Sequence, residues 1–168
     1  MNTLQVTYLA LFIIISLAIS LTVSQLMLTR QRSVSEEVGM IKLSYGISFV
    51  SWVATIIILN LKSISIFGDY MQFLKRFSSN NSLTDILKTA AIYIGFTNLW
   101  LVICYFLSIA LSWVFVGKRR AAYETDSNNY SYFLIIGSIF IATTICLTPL
   151  FEMTLRSFFP NLDLPFYP

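Results

Sequence analysis

Four stretches of this chain are apolar on every side rather than along one stripe: Val6–Leu28, Leu43–Leu61, Ala90–Val116 and Tyr130–Leu150. None of them contains a charged side chain. Segments such as "LALFIIISLAI" and "WLVICYFLSIAL" show no alternation of period two. A barrel strand would alternate apolar and polar positions over about ten residues. Inside hydrocarbon, each backbone N–H and C=O must be satisfied within its own segment or by a closed barrel. A helical crossing takes roughly 20 residues. The pattern therefore predicts an all-α membrane protein, one domain over residues 1–168, with transmembrane helices at about 6–28, 43–61, 84–116 and 130–150.

The third helix is expected to start before its apolar run, because "SLTD" (Ser82 to Asp85) has the form of a capping box. Ahead of it, "GDYMQFLKRF" places Tyr70, Phe73, Leu74 and Phe77 on one helical face. Asp69, Gln72, Lys75 and Arg76 fall largely on the other face. This reads as a short interfacial helix at about 69–77. In the tail, Glu152 and Arg156 stand i, i+4 for an ion pair within one helix. Phe158, Phe159, Phe166 and Tyr167 read as an aromatic anchor at the headgroups.

Composition agrees with the pattern. Hydrophobic residues make up 57% of the chain, charged residues 11%, and the mean hydropathy is +0.75. A soluble domain carries about 25% charged residues, so the expected solvent is lipid. A net charge of +3 is too small to argue for nucleic acid. The first run has no cation before it and no A-x-A site, and its cations, Arg30 and Arg32, follow it. It is expected to stay in the mature protein rather than to be cleaved. Cys104 and Cys146 fall in predicted helices, and the chain has no histidine and no C-x-x-C. No zinc site, disulfide framework or cofactor is expected.

Orientation follows the Lys and Arg near helix ends. Arg30, Arg32, Lys42, Lys118, Arg119 and Arg120 crowd into the first and third loops. Lys62, Lys75, Arg76, Lys88 and Arg156 are spread over the other side. The totals are close, and density decides: loops one and three are expected in the cytoplasm of a bacterium, with both termini outside its inner membrane.

Two echoes run through the chain. A slide of 92 places Ser16, Ala18 and Ser20 on Ser108, Ala110 and Ser112. A slide of 91 places Gly46 and Phe49 on Gly137 and Phe140. They are compatible with two duplicated helical hairpins, related by an axis along the membrane normal. Small residues also recur at helical spacing: Ser16, Ser20 and Ser24; Ser44, Ser48, Ser51 and Thr55; Ser108 and Ser112; Gly137, Thr144 and Thr148. Between lipid-embedded helices, small side chains mark close contacts. Asn98, in "GFTNLW", is a further candidate for helix packing. Four thin helices leave polar faces to cover, so a homo-oligomer is expected.

Catalytic chemistry has little to work with. The spans hold no ionisable residue of the kind that proton and ion relays use. "GISFVSW" lacks the glycine spacing and the base of a nucleophile elbow. What remains is the basic surface of Arg30, Arg32, Lys118, Arg119 and Arg120, suited to anionic lipid or to an acidic cytoplasmic protein. The leading expectation is a non-enzymatic oligomeric membrane protein that anchors or signals to a cytoplasmic partner. A small channel or permease subunit lined by the serines of helix two is the alternative. An immunity or accessory protein of a membrane complex is a third.

Two resemblances bear on this. The paired hairpins, with "NNYSYFLIIG" opening the last helix, resemble the small bacterial membrane proteins of domain of unknown function 350. The plan of four spans with short basic loops is also similar to the membrane subunit of the Kiwa anti-phage system. That likeness implies an oligomeric membrane sensor that recruits a soluble effector, a role in antiviral defence.

Overall fold

In the computed structural model, the described residues are 3–29, 42–77 and 83–158. Arg30, Arg32, Ser82, Phe159, Phe166 and Tyr167 lie outside them. The elements are α1 (Thr3–Thr29), α2 (Leu43–Phe77), α3 (Leu83–Val116), the short α4 (Ala121–Asp126) and α5 (Tyr130–Ser157). The four long helices are each long and apolar enough to cross a membrane. The chain is a multi-pass, all-α membrane protein.

The segment 69–77 is not a separate interfacial helix but the end of α2, which runs unbroken for 35 residues. Nothing between Leu61 and Asp69 stops it. "KSISIF" keeps helical geometry, and Gly68 has space around it, its nearest neighbour being Leu9 at 4.0 Å. At 1.5 Å per residue α2 is roughly 50 Å long, well beyond a hydrocarbon core of about 30 Å. α3, with 34 residues, matches it. The surplus forms a small aromatic core at one end of the bundle. Phe12 stacks on Phe67 with ring centroids 4.3 Å apart, and Tyr93 meets Phe67 edge-on at 6.1 Å. The Tyr70 hydroxyl lies 3.1 Å from Thr89 Oγ1.

α2 is the central element, packing on α1, α3 and α5. It runs parallel to α5, and two ion pairs tie their far ends. Lys62 Nζ lies 2.6 Å from Glu152, and Arg156 lies 3.2 Å from Asp69. This replaces the ion pair expected within the last helix. Both residues of α5 face α2, and each finds an opposite charge there.

The internal echo is displaced in one pair of helices and kept in the other. Ser48, Trp52, Thr55, Leu59, Ser63, Ile66 and Tyr70 are buried in α2. In α5 the residues 85 positions on are buried as well: Phe133, Gly137, Phe140, Thr144, Thr148, Phe151 and Leu155. The second helices of the two hairpins thus repeat their burial at 85 rather than 91, whereas in the first helices the slide of 92 holds, Ser16 and Ser20 being buried like Ser108 and Ser112. Those slides matched residue types. Burial follows which face meets a neighbour.

α1 is held to α2 by a residue that the sequence pattern hides. Asn60, 2% exposed, accepts from Ser16 Oγ at 2.5 Å. Its Nδ2 donates to Ser20 Oγ at 3.2 Å and to the Ile56 carbonyl at 3.0 Å. Such interhelical bonds contribute about 0.6–1.7 kcal/mol in lipid. Asn60→Leu is expected to lower stability by about 1 kcal/mol and to increase hydrogen exchange in α1 ahead of α3 and α5. Equal exchange in all helices would contradict this role.

Candidate functional site

The most structured polar region is the connection from α3 to α5. Gly117, at φ +75, closes α3 by donating its N–H to the Trp113 carbonyl at 3.1 Å. This is a left-handed C-cap, the conformation glycine adopts without penalty. The chain then passes Lys118, Arg119 and Arg120, all exposed, and turns into α4. Glu124 points inward from α4 and is 7% exposed. Its two carboxylate oxygens are both engaged. One accepts from Arg119 at 3.2 Å, the other from Asn129 Nδ2 at 2.6 Å. Asn129 in turn caps α5, its Oδ1 accepting from the Tyr132 N–H at 3.3 Å.

The connection is fastened to α2 as well. Asn128, at φ 50, turns its side-chain oxygen to the first turn of α2 and accepts from the Ser44 N–H at 3.4 Å. Lys42 Nζ lies 3.8 Å from the Asp126 carboxylate and donates to the Asp126 carbonyl at 3.4 Å. Caps and ion pairs therefore make this loop a folded platform. Lys118 lies over the Trp113 ring, 5.1 Å from its centroid.

Beneath the platform, α2, α3 and α5 enclose a cleft of about 220 Å³. Its walls include Ser48, Tyr105, Ile109, Trp113, Phe133 and Ile136, and Arg119 and Ala121 stand at its rim. A deeper void of about 20 Å³ shares Ser48, Tyr105 and Ile136 and reaches Trp52, Gly137 and Phe140. Trp52 forms the floor, with its ring centroid 4.9 Å from Tyr105 and 5.1 Å from Phe140.

The small residues singled out in the sequence are distributed over helix contacts. Ser16 and Ser20 meet Asn60. Ser51, Thr55 and Ser108 donate to carbonyls of their own helices at 2.9, 2.9 and 2.6 Å, and Ser112 donates to Ile109 at 2.7 Å. Ser44 is fully buried, its hydroxyl without a hydrogen-bond partner. Ser48 borders the cleft. Gly137 lies so close to Ser51 that a Cβ built on it would overlap that side chain. Asn98 is buried and donates to the Ile94 carbonyl at 2.8 Å, while its oxygen has no partner.

Of the basic residues, Lys118, Arg119 and Arg120 come together on the platform. Sequence reasoning missed Asn60, Asn128, Asn129 and the inward turn of Glu124. Asn129 carried a signal, an N-capping residue one position before an apolar run. Asn60 carried one too, an amide inside "IIILNLK". No protein-family model, curated protein or solved structure matches this chain.

Proposed function

We propose that this protein is a non-enzymatic anchor in a bacterial inner membrane, with both termini outside and the α4 platform in the cytoplasm holding a soluble partner. The reading rests on one observation. The basic loop is folded, with Glu124 buried beneath Arg119 and Asn129, while Lys118 and Arg120 are exposed. Cations that only set orientation need no fixed geometry. A platform that holds them in one arrangement suits recognition of an acidic protein surface, where charge complementarity speeds encounter and sets register. Self-association into an oligomer would multiply the contacts through avidity. A role as a sensor in bacterial defence belongs to the same reading.

The test is partner capture in mild detergent with Lys118→Glu/Arg120→Glu, two exposed positions away from the Glu124 network. Partner recovery is expected to fall at least about tenfold, the order reached when like charges face each other at an interface. A reporter fused to either terminus is expected to keep its orientation. If the same proteins are recovered at unchanged yield, the platform is not the docking site.

A further inference from the structure

We propose that the cleft under the platform binds one acyl chain of an anionic phospholipid, with the phosphate held at its rim by Lys118, Arg119 and Arg120. Three features of the fold converge on this ligand. The first is shape and lining. The cleft runs from the basic rim inward between α3 and α5, the direction a lipid tail takes from its headgroup. Ile109, Trp113, Phe133 and Ile136 line it. An apolar cavity of about 150 Å³ holds a benzene ring, so one of about 220 Å³ accepts several methylenes.

The second feature is charge. Three cations stand within three residues after the end of α3, and Glu124 pairs with one of them, Arg119. One nitrogen of Arg119 is engaged by Glu124, and a guanidinium has five donors. Arg119 can therefore keep its structural bond and still face a phosphate. Lys118 is placed at the same level by the Trp113 ring. Basic clusters beside spanning helices attract anionic lipid. The apolar cleft adds what a cluster alone lacks, a place for the tail.

The third feature is depth. The inner void ends against Trp52, which is 2% exposed. A chain lying against Tyr105 in the cleft would be one side chain away from this ring, whose centroid is 4.9 Å from that of Tyr105. Trp52 and Trp113, which lines the cleft itself, are thus built-in reporters.

The full-length protein with Trp100→Phe keeps Trp113 in the cleft wall and Trp52 behind it as its two indoles. It is reconstituted in phosphatidylcholine vesicles and titrated with phosphatidylglycerol brominated in its acyl chains. Saturable quenching is expected beyond that given by brominated phosphatidylcholine. Lys118→Gln/Arg120→Gln is expected to raise the phosphatidylglycerol concentration at half-quenching about twenty-five-fold, from about fivefold for each cation at an anionic surface. Ile136→Phe, which fills the junction of cleft and void, is expected to remove the quenching. Equal quenching by the two lipids, no quenching by either, or quenching unchanged in Ile136→Phe would each overturn the proposal. If Ile136→Phe does not fold, the contrast between the two lipids decides alone. Competition by soluble glycerol phosphate would mark the rim as a site for free phosphate and would also overturn it.

Discussion

Gly137→Leu is expected to lower the stability of the bundle by about 3 kcal/mol, the upper end of the usual cost of forcing volume into a packed core. α5 approaches α2 most closely at this residue. A Cβ there would lie 3.0 Å from Ser51 Cβ and closer still to its hydroxyl oxygen. Rotating the Ser51 hydroxyl away would break its bond to the Ile47 carbonyl at 2.9 Å, and its Cβ is fixed by the backbone. The parallel helices must therefore separate. Separation also strains Trp52 against Phe140, and further along it stretches the ion pairs of Lys62 with Glu152 and Arg156 with Asp69. Unfolding by titrated denaturing detergent measures the loss. The milder Gly137→Ala should be rescued by Ser51→Gly, since residues in direct contact couple their effects. Additive effects in that double mutant would show that the two residues do not set the helix spacing.

Trp52→Ala is expected to cost about 2–4 kcal/mol in the same measurement. Removing a buried Trp from a water-soluble core costs about 3–5 kcal/mol. In a bilayer the unfolded reference is itself apolar, so part of the transfer contribution vanishes and the packing contribution remains. That contribution is large here. Trp52 is 2% exposed and touches rings from both α3 and α5, Tyr105 and Phe140. The hollow left behind would join the void beside it and deepen the cleft. Tyr105 and Phe140, which meet at 5.8 Å, would lose the ring that spaces them. A variant as stable as the parent would mean that the three-helix junction is not the mechanical centre of the fold.

The two sets of contacts divide the labour of the bundle. Gly137, Ser51 and Trp52 fix how α2, α3 and α5 meet, and this junction shapes the cleft. Glu124, Asn128 and Asn129 fix the platform over it. The proposed partner docking and the proposed lipid binding would draw on the same three cations, so the two tests also report on each other. A change in bound lipid that alters partner retention would connect them.

Much of this protein was determined by its sequence alone. Runs as apolar as Val6–Leu28 and Ala90–Val116 have one spanning solution in lipid, the helix, because backbone groups find no partner elsewhere. The start of α5 was fixed locally too, by an asparagine whose side chain caps the first turn. The length of α2 was legible only in part. Lys62 resembled a boundary, yet no breaker follows it and the helix continues, with its charge met by Glu152 of α5. Tertiary structure alone decided that α2 and α5 run side by side, that Asn60 joins Ser16 and Ser20, and that Glu124 turns inward. When every face of a helix is apolar, hydrophobicity points in no direction. Neighbours are then chosen by shape and by a few hydrogen bonds, which become visible only once the helices have met.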